Sequence, residues 1–474
     1  MDTATIATQL APALSSYAQR LHANAGGGNH IVSPLGAWML LALCARGSDG
    51  RLRDELTTTL GMDVDQAALV VAALLEKPHP AVALGAGIWT SRELHAEDVA
   101  RWLAGLPVPV GRGEIPSKAA LDEWTAKQTR GLIREFPVQL SPLTALVLAT
   151  TLATKVGWMK PFRSVPAREL DVGEASDWSR QVQRVLRTPS PAGHMQLIAR
   201  TERAGDVCVH TALAREDLAV TSVIADHRVP ATDVMATAYD LAVAVTSGRP
   251  VATRSLFDLP LGDSPLWTIS QEEALVSARS DREEIFTTVL PAWSGEATHD
   301  LRRDDLGFPA AAAWLAQLTR SDALYDYEAK QSVVARYNRM GFEAAAVSAL
   351  AFTRMAMDWR QERGLRRRAT LRFGHPFAVV AVASGWTGWG RDASSRIAAA
   401  ELWPGLPVYS AWVTVPAEAD EDRDEELFDV DNETLQEERA RFVESRSAAP
   451  LLGDAADRTP RTPWSRAMDW IRRL

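Results

Sequence analysis

Nine histidines and two cysteines are the side chains most able to do metal or covalent chemistry in this chain, and their spacing builds no local site. Histidines 22, 30, 79, 95, 194, 210, 227, 299 and 375 form no H-E-x-x-H pair. Cys44 and Cys208 lack C-x-x-C partners, so a sequence-local zinc centre is not expected. No G-x-S-x-G elbow, Walker A loop or G-x-G-x-x-G turn occurs. Gly26-Gly27-Gly28 has no Lys-Ser/Thr after it and reads as a flexible loop rather than a phosphate cradle. Trp158 and Trp293 read as core aromatics. Catalysis therefore has no local support, and a triad assembled from distant Ser, His and Asp residues stays open. One run is unusual in another way: Gly341-Phe342-Glu343-Ala344-Ala345-Ala346-Val347-Ser348-Ala349 is small and nearly uncharged. Taken alone, Glu-Ala-Ala-Ala reads as helix.

The elements around these residues must come from a large core. At 474 residues, 46% hydrophobic and 23% charged, the chain has ordinary globular composition and can bury a core without disulfides. Its 51 basic and 60 acidic residues leave a net charge of −9, which argues against nucleic-acid binding. No run of about 18 apolar residues predicts a membrane span. The N-terminus shows no basic segment followed by an apolar one, so a cytoplasmic location is expected, with non-classical export left open.

Spacing of Ile6, Leu10, Leu14, Tyr17 and Leu21 predicts a helix over 4–23. Ser33-Pro34 starts a second helix, capped by serine and apolar nearly all round. A third, Leu52 to Leu60, stops at Gly61. Leu121 to Gly131 is an amphipathic helix, and Ala145 to Ala153 suits a strand buried on both faces. The centre, about 164–285, reads as sheet, with short runs such as Ala219 to Ile224 and Leu241 to Val245. Strands follow at Ile285 to Leu290, Ser332 to Tyr337, Phe377 to Ala383 and Val408 to Val415, with a helix from Phe308. Beyond Pro416, Glu418 to Glu444 is a strongly acidic, solvated segment. Pro463 to Leu474 reads as a short basic amphipathic helix, able to dock on the body, a partner or a membrane surface.

In this order several segments resemble the serpin family. Asn29…Ser33-Pro34-Leu35 is similar to its N-x-x-x-S-P-L opening. Trp124, Thr129 and Gly131 are similar to its W-x-x-x-x-T-x-G helix. Leu146-Val147-Leu148 through Trp158 to Lys160-Pro161-Phe162 resembles its L-V-L…W-x-x-P-F stretch. Leu290-Pro291 with Asp300-Leu301, and His375-Pro376-Phe377, resemble later family motifs. The resemblance to divergent bacterial-type members implies an α+β fold with three β-sheets, about eight or nine helices and an exposed reactive loop. The domain would cover 1–416, its loop about 341–370, and an extension would cover 417–474.

The resemblance also implies a role for each of these segments. Gly341, Phe342, Glu343, Ala344, Ala345, Ala346, Val347 and Ser348 would be the loop's hinge, which enters a parting sheet as a new strand after cleavage. Small side chains suit that passage, and glycine frees the pivot. Phe342 stands where the family has a small hydroxyl residue, and its volume could overpack the sheet. Ser33, Thr150, Gln331 and Trp158 would form a buried sheet-opening cluster, with Thr150 in place of the usual Asn and Gln331 in place of a frequent His. The reactive bond would be Met355-Ala356, or Arg354-Met355 if the loop is one residue shorter. The partner would be a serine or cysteine protease, for which this chain would act as a suicide substrate; the alternative is a non-inhibitory binding or scaffold protein. That the chain is no enzyme and needs no metal or cofactor is implied by the same resemblance. Trp359, Arg360, Arg363, Arg366, Arg367 and Arg368 read as a solvated basic insertion or as a contact for an acidic partner.

Overall fold

Two runs organise the molecule: Leu218–Ile224 and Phe377–Ala383 are buried at every position. A strand can be apolar on both faces only if both faces are covered, and these two lie side by side in a six-stranded sheet. The computed structural model describes residues 3–23, 28–91, 97–107, 110–129, 133–136, 140, 144, 146–154, 156–171, 176–189, 193–277, 281–319, 329–342, 361–384 and 403–419.

In chain order the helices are α1 (Thr3–His22), α2 (Pro34–Ala45), α3 (Gly50–Leu60), α4 (Val64–Glu76), α5 (Glu97–Ala104), α6 (Lys118–Gln128), α7 (Ala231–Ser247) and α8 (Phe308–Thr319). The strands begin with β1 (His30–Val32), β2 (Val82–Thr90), β3 (Gly111–Glu114), β4 (Leu146–Thr154), β5 (Val156–Gly157) and β6 (Arg163–Pro166). Next are β7 (Arg184–Arg187), β8 (His194–Thr201), β9 (Gly205–Leu213), β10 (Leu218–Ile224), β11 (Gly262–Asp263) and β12 (Trp267–Ser277). The last are β13 (Arg282–Leu290), β14 (Trp293–Asp300), β15 (Lys330–Tyr337), β16 (Gly341–Phe342), β17 (Gln361–Arg372), β18 (Phe377–Ala383) and β19 (Pro407–Val413).

These strands form four hydrogen-bonded groups among the described residues: β1-β19-β18-β10-β9-β8, β11-β12-β17-β13-β7-β6, β14-β15-β16-β5 and β3-β2-β4. Three sheets were expected. The count differs because one large sheet is parted: β4 and β15, the facing edges of the last two groups, share no ladder. Helix α2, buried along its whole length, is capped at Ser33, whose Oγ accepts from the Gly36 N–H. It packs against both β4 and β19, which places it beneath the parted sheet.

Four expectations need correction. Leu241 to Val245 belongs to helix α7, not to a strand; five apolar residues fit either period, and packing of α7 on β10 and β18 decides. Leu146–Thr154 is an edge strand in which Leu146, Leu148 and Thr150 are only half-buried. Gln361–Arg372 is not a solvated insertion but an inner strand, antiparallel to β12 and parallel to β13. Several of its arginines bond within the fold, while Arg363 is exposed: Arg366 pairs with Glu272 and Glu283, Arg368 with Glu272. Arg367 donates to the Leu259 carbonyl and stacks over Phe257. Trp359 and Arg360 lie outside the described residues.

Finally, the body continues to Ala419 rather than 416. Ala417 N–H donates to Ala292 O (2.7 Å), and the Glu418 carboxylate accepts from Gln183 N (2.9 Å) and Arg184 N (2.7 Å). These bonds tie the start of the acidic extension to β7. The rest of that extension, with the 463–474 helix, lies outside the described residues.

Candidate functional site

Strand β15 ends at Tyr337 and the chain reverses through Asn338-Arg339-Met340 into β16. Asn338 makes this turn: its Oδ1 accepts from Met340 N and Gly341 N, both 2.9 Å, while its own N–H donates to Gly341 O (3.1 Å). Such an Asx turn mimics a backbone turn and fixes where the next strand starts. The segment after β5 clamps the turn from outside. Trp158 donates Nε1–H to Asn338 O (3.0 Å) and N–H to Met340 O (2.9 Å), and Phe162 N–H reaches Arg339 O (2.9 Å).

As a result Gly341-Phe342 sits between β15 and β5, antiparallel to both, with Phe342 opposite Tyr337 on one side and Val156 on the other. Phe342 is buried, its ring 6.2 Å from Trp293 and 6.1 Å from Tyr409. Trp293 stacks on Tyr337, and Trp158 lies 4.8 Å from the same ring. Burial drives the Tyr337 phenol well above its usual range, so it stays neutral here.

Two histidines complete this wall. His194 donates Nε2–H to Lys160 O (2.8 Å), so its Nδ1 must accept from His210 Nε2–H at 3.1 Å. Burial holds His194 down to about 4 and His210 well below its usual range.

Further down the parted sheet a second polar group ties its halves to α2. Gln331 of β15 grips the backbone of Ser33: its Oε1 accepts from Ser33 N (3.0 Å), and its Nε2 donates to Ser33 O (2.8 Å). Thr150 of β4 donates to Gly36 O (2.8 Å), and Ser33 Oγ donates to Val408 O (3.0 Å). Opposite edges of the parting are thus both moored to one helix end. Between them, under α6, lies a cleft lined by Phe136, Leu148, Thr150, Thr151, Lys330 and Ser332.

Of the residues expected to act together, the structure brings together Ser33, Thr150 and Gln331. It separates Trp158, which serves the root turn instead. Gly341 and Phe342 stand at the root of the loop. Glu343, Ala344, Ala345, Ala346, Val347, Ser348, Arg354, Met355 and Ala356 lie outside the described residues. Sequence inspection missed Asn338, although Asn three residues before Gly is a turn signal. It also gave no role to Tyr337, His194 or His210, which no local pattern marks.

The four groups of strands, the helix jacket and the loop root define a parted-sheet architecture, and comparison with known proteins agrees. Residues 13–171 match the sequence model of the serpin (serine protease inhibitor) family. Over 157 residues the chain is 29% identical to a serine protease inhibitor of Cyanea capillata, a stretch covering 30% of this chain and 42% of that protein. Over 180 residues it is 30% identical to Serpin-ZXA of Oryza sativa subsp. japonica, covering 33% of this chain and 44% of that one. These alignments span less than half the length of the relatives. Solved structures are matched across the body: the thermophilic serpin tengpin in its native state (TM-score 0.53, 14% identity, 87% of this chain and 95% of that one). Human thyroxine-binding globulin complexed with thyroxine matches similarly (TM-score 0.54, 15% identity, 88% and 100%). At such identities the structures speak for the fold alone. The serpin sequence model is matched in the first third of the chain, and the fold across the body is similar to that of solved serpins.

Proposed function

We propose that this protein inhibits serine proteases as a suicide substrate, by cleavage of the segment after Phe342 and insertion of its first half between β15 and β4. The target's nucleophile would attack the bond after Met355, or after Arg354, giving an acyl-enzyme. Insertion would then carry the bound protease away before hydrolysis.

One observation carries this reading: Gly341-Phe342 already occupies the first rungs of the lane between the two halves, and below it β4 and β15 share no ladder among the described residues. Continuing the same antiparallel register past Phe342 would set Ala344 beside Ala335 and Thr154, and Ala346 beside Val333 and Leu152. Ser348 would fall between Gln331 and Thr150, the two residues that moor the sheet edges to α2. Alternation then turns Ala344, Ala346 and Ser348 inward with Phe342, and all three are small. Phe342 itself needs no further room, being packed already among Trp293, Tyr337 and Tyr409.

The test is to nick the loop between Ala349 and Arg360, confirm the cut by mass, and compare thermal melts. A higher melting temperature and detergent-stable complexes with chymotrypsin-like or trypsin-like proteases are expected. An unchanged melt would sink the mechanism and leave a serpin fold used for binding.

A further inference from the structure

Away from the loop, three imidazoles form a continuous row through the body. His22 ends α1, His30 opens β1 and His299 lies near the end of β14. Ring centroids are 5.0 Å apart for His22 and His30 and 4.8 Å for His30 and His299. His299 donates Nε2–H to Ile31 O (2.5 Å); His30 Nδ1 faces His22 Nδ1 at 3.1 Å; His22 Nε2 meets Ser410 Oγ at 2.7 Å, which also accepts from the Tyr239 hydroxyl. The row therefore links β14 to β1, α1, β19 and α7. Strand β14 comes so near β1 that a Cβ on Gly295 would stand 2.6 Å from Ile31 Cδ1. His299 is also the ladder partner of Gln331, which grips Ser33.

We propose that these three histidines are an acid-released bolt: neutral, they hold the β14–β15 pair against β1 and α1, and protonated, they free that half of the parted sheet to move.

The facing pair of His22 and His30 tolerates only neutral rings. At 3.1 Å one of the facing Nδ1 atoms must accept while the other donates, so protonating the acceptor sets two N–H groups head to head. The charged neighbours offer no relief. On the chain leading from β14, Arg303 adds positive charge and pairs with Asp305. Asp300 of β14 pairs with Arg302. Arg20 of α1 is taken by the carbonyls of Thr59 and Asp305. Lys330 of β15 adds positive charge near Asp300. Tyr239 of α7 stays neutral, its phenol pushed above the usual range by burial. Burial first, and the other rings second, lower His22 far below its usual range. Burial, then His299, holds His30 down to about 4, and burial lowers His299. These groups favour the closed arrangement above about pH 6.5 and withdraw that support as pH falls towards 4. The inference does not depend on whether the loop is cleaved.

Hydrogen exchange of the full chain at pH 7.2 and pH 5.0, corrected for intrinsic rates, tests it. Amides of β14 and β15 should open about thirty-fold more often at pH 5.0, the factor for one group moved from 6.5 to about 4. Amides joining β12 to β17, in a sheet whose strands carry no histidine, should hold. His30→Gln with His299→Gln should reduce the difference to the part that His22 contributes. Equal loss in both regions, no loss in β14–β15, or the same acid response in the double variant would each overturn the bolt. If the double variant does not fold, the regional contrast in the unmodified protein still decides.

Discussion

Placing one negative charge at adjacent positions of the loop separates the proposed register from every other arrangement. In Ala346→Glu the carboxylate would enter the core face beside Val333 and Leu152, both buried. In Ala345→Glu it would point outward beside half-buried Val334. Filling the lane from Glu343 to Ala349 orders seven residues at about 1.5 kcal/mol each, a cost of roughly 10 kcal/mol. It forms about fourteen ladder hydrogen bonds worth roughly 1 kcal/mol net apiece. The difference, about 4 kcal/mol, corresponds to a rise of about 6 °C for the roughly 340 described residues. An uncompensated inward carboxylate costs several kcal/mol, enough to cancel it, whereas an outward one costs about 1 kcal/mol or less. The assay is calorimetry before and after nicking, with the cut confirmed by mass. Nicked Ala345→Glu should melt higher than its intact form, and nicked Ala346→Glu should not. If Ala346→Glu gains as much as the parent, or if Ala345→Glu alone fails, the register is wrong.

Three other perturbations address the surrounding scaffold. Trp158→Phe keeps the aromatic packing but leaves the Asn338 carbonyl without its donor. It should cost about 1–2 kcal/mol in urea unfolding and raise exchange at Met340 and Gly341. Gln331→Leu strips two hydrogen bonds from the buried Ser33 backbone and should cost about 2–3 kcal/mol, read from the same urea curves. Because His194 and His210 are held neutral by burial, the stability they support is complete above pH 6.5 and falls as pH drops towards 4. His210→Phe should remove part of that acid-induced loss in melting temperature, and an unchanged pH profile would contradict it.

The sequence alone determined the local elements with strong periodicity or punctuation. Ser33-Pro34 starts α2 because serine caps and proline fits the first turn, and Gly61 ends α3 in a left-handed conformation at φ 70°. The order of short motifs carried the resemblance to serpins, and with it the expectation that Ser33, Thr150 and Gln331 lie near one another. Tertiary structure decided what no window of sequence contains. Leu241 to Val245 became helix because its face packs on β10, just before it in the chain, and on β18, far along it. The arginines after residue 360 became an inner strand because Glu272 and Glu283 stand on its neighbours. Trp158 left the expected cluster for the Asn338 turn, 180 residues distant. Three histidines from α1, β1 and β14 became one row only when the β14–β15 pair closed on β1. Periodicity and caps act over a few residues and can be read locally; pairing, burial and charge compensation depend on which distant segments meet, and only the folded chain specifies that.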